Sequence, residues 1–297
     1  MGKSQNQLDN IVQENIDLRR YSSYKIGGKA RFFVNATNAE HIQLAFDKSR
    51  ASGLPLMVLG NGSNLLLADS DLEALVLRVS SDYTELSLKD DLLVAPAGAK
   101  LLKLVKTARE YQANSLDFLA YIPGHVGGSV VNNAGAFGSN LDEHLQWIEG
   151  FTLSGSFKRL YRDEIQFGYR HCELRGRFIV TKAAFRLGRQ NEDRFKEWGD
   201  YRKKTQPTKY PSSGCVFKNP TQSSAGLLIE QSGCKGLTMG DAQVSTLHAN
   251  FIVNLGRANS QSVQDLIKMV SEKVYSNSGV KLERELQFYH EAFLDVA

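Results

Sequence analysis

The sequence predicts an α+β protein of more than one unit, not a doubly wound parallel sheet. Three observations predict it. Short apolar runs bounded by turn residues outnumber the runs of helical period, and the two do not alternate strictly. Two loops rich in glycine and asparagine follow apolar segments, yet neither has the G-x-G-x-x-G or G-x-x-x-x-G-K-[ST] spacing that opens a nucleotide-binding helix. The 297 residues, 42% hydrophobic and 23% charged, are enough for two or three units with ordinary cores.

The elements follow in chain order. Thr37 and Glu40 have capping-box spacing, and Ile42, Ala45 and Phe46 share a face before Gly53, so a helix is expected to begin at Thr37 and stop at that glycine. "LPLMVLG" reads as a buried strand, "GNGSN" as a polar turn and "LLLA" as a second strand. "ALVLRV" and "DLLVAPAG" read as further strands. "LLKLVKTAREY" is helical by the spacing of Leu101, Leu104, Val105 and Ala108. "FIVTKAAFRL" and "ANFIVNL" are strands again, and Val263, Leu266, Ile267, Val270 and Val274 mark an amphipathic helix that Gly279 ends. The charged stretch 188–207 is the expected boundary between the glycine-rich middle and the turn that holds Cys215.

Several function classes are disfavoured. The net charge is +4, and the basic residues are scattered apart from Arg202-Lys203-Lys204. That suits an anionic small substrate better than a nucleic acid. Cys172, Cys215 and Cys234 are an odd number at wide spacing with no CxxC pair, so no metal site is expected, and a reducing, cytoplasmic setting is. The opening "MGKSQNQLDN" lacks the apolar core of a signal peptide, and Asn6 breaks the myristoylation pattern. No apolar run reaches 18 residues, so no membrane span is expected.

The two loops carry the first functional signal. One is Gly60-Asn61-Gly62-Ser63-Asn64, leading into Leu65. The other is Ile122-Pro123-Gly124-His125-Val126-Gly127-Gly128-Ser129, followed by Asn132-Asn133-Ala134-Gly135. Glycine lets the backbone approach a ligand and adopt positive φ, and successive N–H groups in such turns form nests for phosphate oxygens. Either loop alone could be an ordinary tight turn; together they point to a ligand carrying phosphates. Three further spots hold chemistry-capable groups. These are Tyr169 and Arg170 in "FGYRH", Cys215, Lys218 and Asn219 in "GCVFKNP", and Glu283 and Glu285 in "KLEREL". The glutamates, two apart on a strand, share a face. Each spot also has an ordinary alternative: a surface salt bridge, a small buried residue, a solvated edge.

Taken in order, "YSSYKIGGKARFF", "LGNGSNLL", "IPGHVGGSVVNNAGAFG", "FGYRH", "SSGCVFKNP", "SAGLLIEQSGCKGL", "GDAQVSTLHANFIVNLG" and "LEREL" resemble the UDP-N-acetylenolpyruvoylglucosamine reductase family over about residues 14 to 290. The compact spacing from Gly226 to Leu286 resembles its shorter type, without an extra substrate loop. The resemblance implies an FAD-binding unit of the PCMH or vanillyl-alcohol-oxidase type in two subdomains, 1–82 and 83–200, and a C-terminal α/β substrate-binding domain, 201–297. It implies non-covalent FAD, NADPH as hydride donor, and reduction of the enolpyruvyl group of a UDP-sugar to the lactyl ether of UDP-N-acetylmuramate. That is a cytoplasmic step of peptidoglycan precursor synthesis, with no nucleic acid or membrane partner.

By the same resemblance, FAD contacts fall on Asn61, Gly62, Ser63, Asn64, Leu65, Ile122, Pro123, Gly124, Gly127, Gly128, Ser129, Asn132, Ala134 and Gly135. Tyr169, Lys218 and Asn219 fall on substrate positions, and Lys203, Lys204 and Lys218 are candidates for the UDP diphosphate. Arg170 would stabilise charge developing on the substrate carboxylate, and Glu285 would position that group by sharing a proton. Cys215 stands where the family usually has serine, as proton donor to C2. An ordinary thiol ionises near about 8.5, and a cation such as Lys218 would ease that, yet a thiolate cannot donate a proton. Tyr121 and His125 also depart from the family pattern, standing where glycine and a small hydroxyl residue are usual. Two alternatives stay open at this point. One is a flavin oxidase of the same superfold, with His125 as the sole candidate for a covalent tether. The other is a flavin- or UDP-sugar-binding relative without catalysis.

Overall fold

The computed structural model describes residues 11–294. The opening segment with Asn6 lies outside the described residues. The first sheet has the strand order Val12–Asp17, Lys29–Ala36, Leu72–Val79, Leu56–Val58, Phe293–Leu294. Its three central strands are parallel and its outer two antiparallel to their neighbours. A parallel centre must be covered on both faces, which explains the unbroken apolar run of Leu75, Val76 and Leu77. Leu75 and Leu77 face Ile42 and Phe46 of the helix Ala39–Ser52, while Val76 packs with Phe33, Met57 and Leu59 on the other side. That helix starts one residue later than the capping-box reading has it. Asn38, not Thr37, is the cap, its side-chain oxygen accepting from the His41 N–H at 2.9 Å, and the Thr37 hydroxyl meets the His41 ring instead. Gly53 closes the helix in the left-handed conformation, φ +65°.

The second sheet is antiparallel throughout, in the order Phe157–Tyr161, Leu145–Thr152, Phe178–Arg186, Leu92–Pro96, Ser87–Lys89. The helix Leu101–Glu110 buries Leu101, Leu104, Val105 and Ala108 against it. One hydrophobic cluster joins this sheet to the helical side of the first. The charged stretch 188–207 folds largely as the helix Phe195–Thr205, docked through Phe195 on Tyr121 and Trp198 stacked on Phe137.

Beyond it, the three-stranded sheet Thr238–Met239, Ala242–Val244, Ile252–Asn254 packs under the helix Ser260–Ser278 through Val263, Leu266, Ile267, Val270 and Val274. Tyr24, Ile26 and Leu66 of the first unit enter this core. Asn254 donates to the Tyr24 carbonyl at 2.9 Å, and the Asp69 carboxylate accepts from Ser260 at 2.6 Å. The "LLLA" strand is only Leu65–Leu66, parallel to Gln287–Phe288, and Phe293–Leu294 completes the first sheet. The architecture is α+β, as the element pattern predicts. Among the described residues no helix is long and apolar enough to cross a membrane.

Candidate active site

The two glycine loops meet. In the first, Gly62 has φ +60°, and a Cβ there would stand 2.1 Å from the Tyr21 carbonyl oxygen, so only glycine fits. Its own carbonyl accepts from Ser23 N–H at 3.1 Å and from the Ser213 hydroxyl at 3.4 Å. In the second, Leu101 N–H donates to Gly124 (3.1 Å), Val126 N–H to Ala99 (2.9 Å) and Gly127 N–H to Ala97 (2.9 Å). A Cβ on Gly127 would lie 2.7 Å from the Ala97 methyl. One on Gly124 would come within 3.2 Å of Ser129 Oγ and 3.9 Å of Ser63 Oγ, which brings the loops face to face. Asn132 donates to the Gly128 carbonyl at 2.7 Å, and its own Oδ1 is buried without a partner. Facing backbone turns fit the phosphates of a cofactor such as FAD, and the orphaned acceptor fits a hydroxyl or N–H donor on the same molecule.

A cleft of about 320 Å³ opens beside them, lined among others by Asn64, Asn132, Arg170, Lys218 and Glu285. Arg170 reaches it from a tight hairpin. Phe167–Gly168 pairs with His171–Cys172, so Tyr169 and Arg170 form the two-residue turn, and Arg170 takes φ +56°. Its Nη2 donates to the Gly135 carbonyl at 2.7 Å, and its Nε lies 3.1 Å from Glu285 Oε1. Gly135 is required there, since a Cβ would stand 2.4 Å from Asn140 Oδ1. Burial pushes the Glu285 carboxyl above its ordinary range, with Arg170 the strongest opposing influence.

The cysteine turn is zipped to the glutamate segment. Glu285 N–H donates to the Val216 carbonyl and Lys218 N–H to that of Glu283, both at 2.8 Å. Asn250 fixes the other side, accepting from Phe217 N–H at 2.9 Å and donating to the Phe217 carbonyl at 2.8 Å. Asn64 donates to the Glu285 carbonyl at 3.2 Å, so the first glycine loop holds the same segment. Cys215 is unpaired, and although part of the residue remains accessible, burial dominates its thiol. Burial, helped by Glu285, pushes it up to about 12, against the pull of Arg170 and Arg202.

The expectation that Lys218 activates this thiol is therefore corrected. Lys218 turns away to an ion pair with the exposed Glu283 at 2.5 Å, and the cations felt by Cys215 are the two arginines. Asn219 N–H donates to the Tyr169 hydroxyl at 3.4 Å, and Asn219 Oδ1 accepts from Ala225 N–H at 3.0 Å.

The comparisons with known proteins agree with this geometry. The family model for the UDP-N-acetylenolpyruvoylglucosamine reductase C-terminal domain matches residues 206–289, and an FAD binding domain model matches residues 30–161. The UDP-N-acetylenolpyruvoylglucosamine reductase of Desulforamulus reducens is 37% identical over 291 residues, 96% of each chain. That of Clostridium tetani is 32% identical over 290 residues, 95% of this chain and 94% of its own. The crystal structure of the Thermus caldophilus enzyme of that name superposes with a TM-score of 0.79 at 36% identity, covering 94% of this chain and 98% of its own. The chain belongs to the UDP-N-acetylenolpyruvoylglucosamine reductase family.

Within this reductase family, the chain's departures are accommodated locally. The Tyr121 ring lies where a Cβ on Gly199 would stand, 2.3 Å from Tyr121 Cζ, so a glycine on the docking helix makes room for it. His125 is buried and held down to about 4, by burial first and then by Arg78 and Lys100, so it is neutral. Two arginines escape a reading by motif. Arg175 donates to the Arg170 carbonyl at 2.8 Å and supports the hairpin. Arg202 donates to the Tyr121 carbonyl at 2.9 Å and lies over the Phe137 ring, while Lys203 and Lys204 point to solvent. Helical spacing carries the signal for Arg202, because Phe195, Trp198 and Arg202 share one face.

Proposed function

We infer that this chain is an FAD-dependent oxidoreductase that reduces UDP-N-acetylenolpyruvoylglucosamine to UDP-N-acetylmuramate with NADPH, a cytoplasmic step of peptidoglycan precursor synthesis. We assign its chemistry to Arg170, Cys215 and Glu285. The chemistry that FAD supplies when bound is hydride transfer from NADPH to C3 of the enolpyruvyl group. Asn61 to Leu65, Ile122 to Gly124, Gly127 to Ser129, Asn132, Ala134 and Gly135 are the residues that would hold it.

Hydride arriving at C3 drives negative charge onto C2 and the adjoining carboxylate. Arg170 stabilises that charge, its guanidinium already oriented by the Gly135 carbonyl and by Glu285, so little reorganisation is left for the reaction itself. Glu285, whose carboxyl is raised by burial against the pull of Arg170, is assigned to position the substrate carboxylate by sharing a proton with it. Cys215 then gives its proton to C2. The S–H bond breaks, the C–H bond forms, and the charge left on sulfur is offset by Arg170 and Arg202. Lys218 lines the cleft, and Asn219, next in the chain, hydrogen-bonds Tyr169; we assign these three residues to the UDP-sugar, Lys218 exchanging Glu283 for the diphosphate.

The observation that carries this reading is the Arg170–Glu285 pair at 3.1 Å, set beside Cys215, whose thiol is pushed up to about 12 by burial. The test is anaerobic spectroscopy of the purified protein. NADPH should bleach the flavin bands, substrate should restore them, and turnover in D₂O should leave deuterium at C2. A flavin that NADPH reduces and the enolpyruvyl substrate fails to reoxidise rejects the assignment.

A further inference from the structure

We propose that Arg78 is the counter-cation of the cofactor's diphosphate, held between the two glycine loops. The inference rests on the FAD-binding reading above. Neither loop supplies a formal positive charge: residues 60–65 and 122–129 hold no lysine or arginine, and His125 is neutral. Backbone N–H groups offer partial charges only, whereas a diphosphate between two nucleosides carries two negative charges.

Arg78 lies where the loops join the sheet. It is the lone basic residue in the central strand Leu72–Val79. Leu59 N–H donates to the Leu77 carbonyl at 2.9 Å, so the first loop leaves the sheet directly beside Arg78. On the other side, a Cβ on Gly98 would meet the Val79 carbonyl at 2.2 Å, and the segment from Ala97 to Leu101 is the one whose backbone holds the second loop. The guanidinium stands over the Tyr21 ring, 4.8 Å from its centroid, and the Tyr21 carbonyl is the atom against which Gly62 packs.

The side chain is also incompletely satisfied. Its Nε is buried with no hydrogen-bond partner, and among the described residues no carboxylate pairs with it. Burial works against its charge, and the only opposing influence comes from Tyr21. A half-buried cation with a buried, unpartnered Nε and no anion is disfavoured at that point of the strand. An anion arriving between the loops would supply the missing partner.

The test separates charge from packing. FAD and riboflavin are each titrated into reversibly deflavinated protein, as wild type, Arg78→Met and Arg78→Lys. Arg78→Met keeps the stem on Tyr21 and removes the charge, so FAD affinity should fall about ten- to a hundredfold, the scale of one charge-assisted hydrogen bond. Arg78→Lys should recover most of that loss, and riboflavin, which has no phosphate, should bind all three proteins alike. In the wild type, added salt should weaken FAD and leave riboflavin unaffected. Equal losses for the two ligands in Arg78→Met, or undiminished FAD affinity, would assign Arg78 to packing and overturn the proposal. Should Arg78→Met not fold, the salt dependence in the wild type decides, and equal salt slopes for the two ligands reject it. A wild type that binds neither ligand refutes the flavoprotein reading itself.

Discussion

The thiol of Cys215 offers the sharpest test, because sequence and structure lead to opposite expectations. Near a lysine, a cysteine in a glycine turn should ionise at or below an ordinary value and react readily with alkylating agents. In the folded chain Lys218 is engaged with Glu283, and burial lifts the thiol from 9.0 to about 12. At pH 8 a thiol titrating near 9 is roughly one-tenth thiolate, and one titrating near 12 is roughly one ten-thousandth. Iodoacetamide should therefore modify Cys215 about a thousandfold more slowly than an unperturbed cysteine, before any steric hindrance. The assay is alkylation of the native protein from pH 7 to 11, with the Cys215 peptide quantified by mass spectrometry. The rate should climb tenfold per pH unit through pH 10 without levelling. Turnover should likewise show no alkaline limb from Cys215 below pH 10, so Cys215→Ser should keep much of the activity without moving that limb. The same shift has a consequence for stability. The neutral thiol favours the fold fully below about 9, and the contribution is lost as pH rises towards about 12. A plateau in alkylation between pH 8 and 9, or an alkaline limb there that Cys215→Ser abolishes, refutes the reasoning.

Other outcomes rest on the same contacts. Arg170→Ala should leave flavin reduction by NADPH intact and slow reoxidation by substrate by about a hundredfold or more, as for loss of one oxyanion-type donor; stopped-flow absorbance separates the two half-reactions. Glu285→Gln should damage the second half-reaction, while Glu283→Gln, at an exposed carboxylate, should change turnover little and relax only the position of Lys218; reversed results would mean that the two glutamates have been assigned to the wrong roles. Gly62→Ala should cost about 2 kcal/mol or more in thermal or urea unfolding, since it combines a left-handed φ with a Cβ 2.1 Å from the Tyr21 oxygen, whereas Gly60→Ala, which meets open space, should be close to silent.

What the sequence reveals and what it hides divide along a physical line. Helices with one apolar face are legible, because burial repeats at the helical period: Leu101, Leu104, Val105 and Ala108 are all buried, as are the five apolar positions of Ser260–Ser278. Caps are less so. Thr37 and Asn38 are both competent, and only the backbone, extended at Asn38, decides between them. The glycine loops are legible as exceptional turns, but not as one site. Their meeting depends on the approach of Gly124 to Ser63, close enough that a Cβ on the glycine would stand 3.9 Å from Ser63 Oγ. Charge is the least legible property. Lys218 stands three residues from Cys215 yet turns to Glu283, because extended backbone sends neighbouring side chains apart. Arg170, from the hairpin, and Arg202, from the helix Phe195–Thr205, are the cations that act on the thiol, and Glu285 arrives through backbone pairing with Val216. Whether Cys215 is an acid or an inert core residue thus depends on groups brought in from distant segments, which local spacing does not encode. A buried cysteine with only apolar neighbours would also be protonated, but on donating its proton it would leave an uncompensated charge. In the proposed mechanism Arg170 and Arg202, which pull against burial at the thiol, offset that charge.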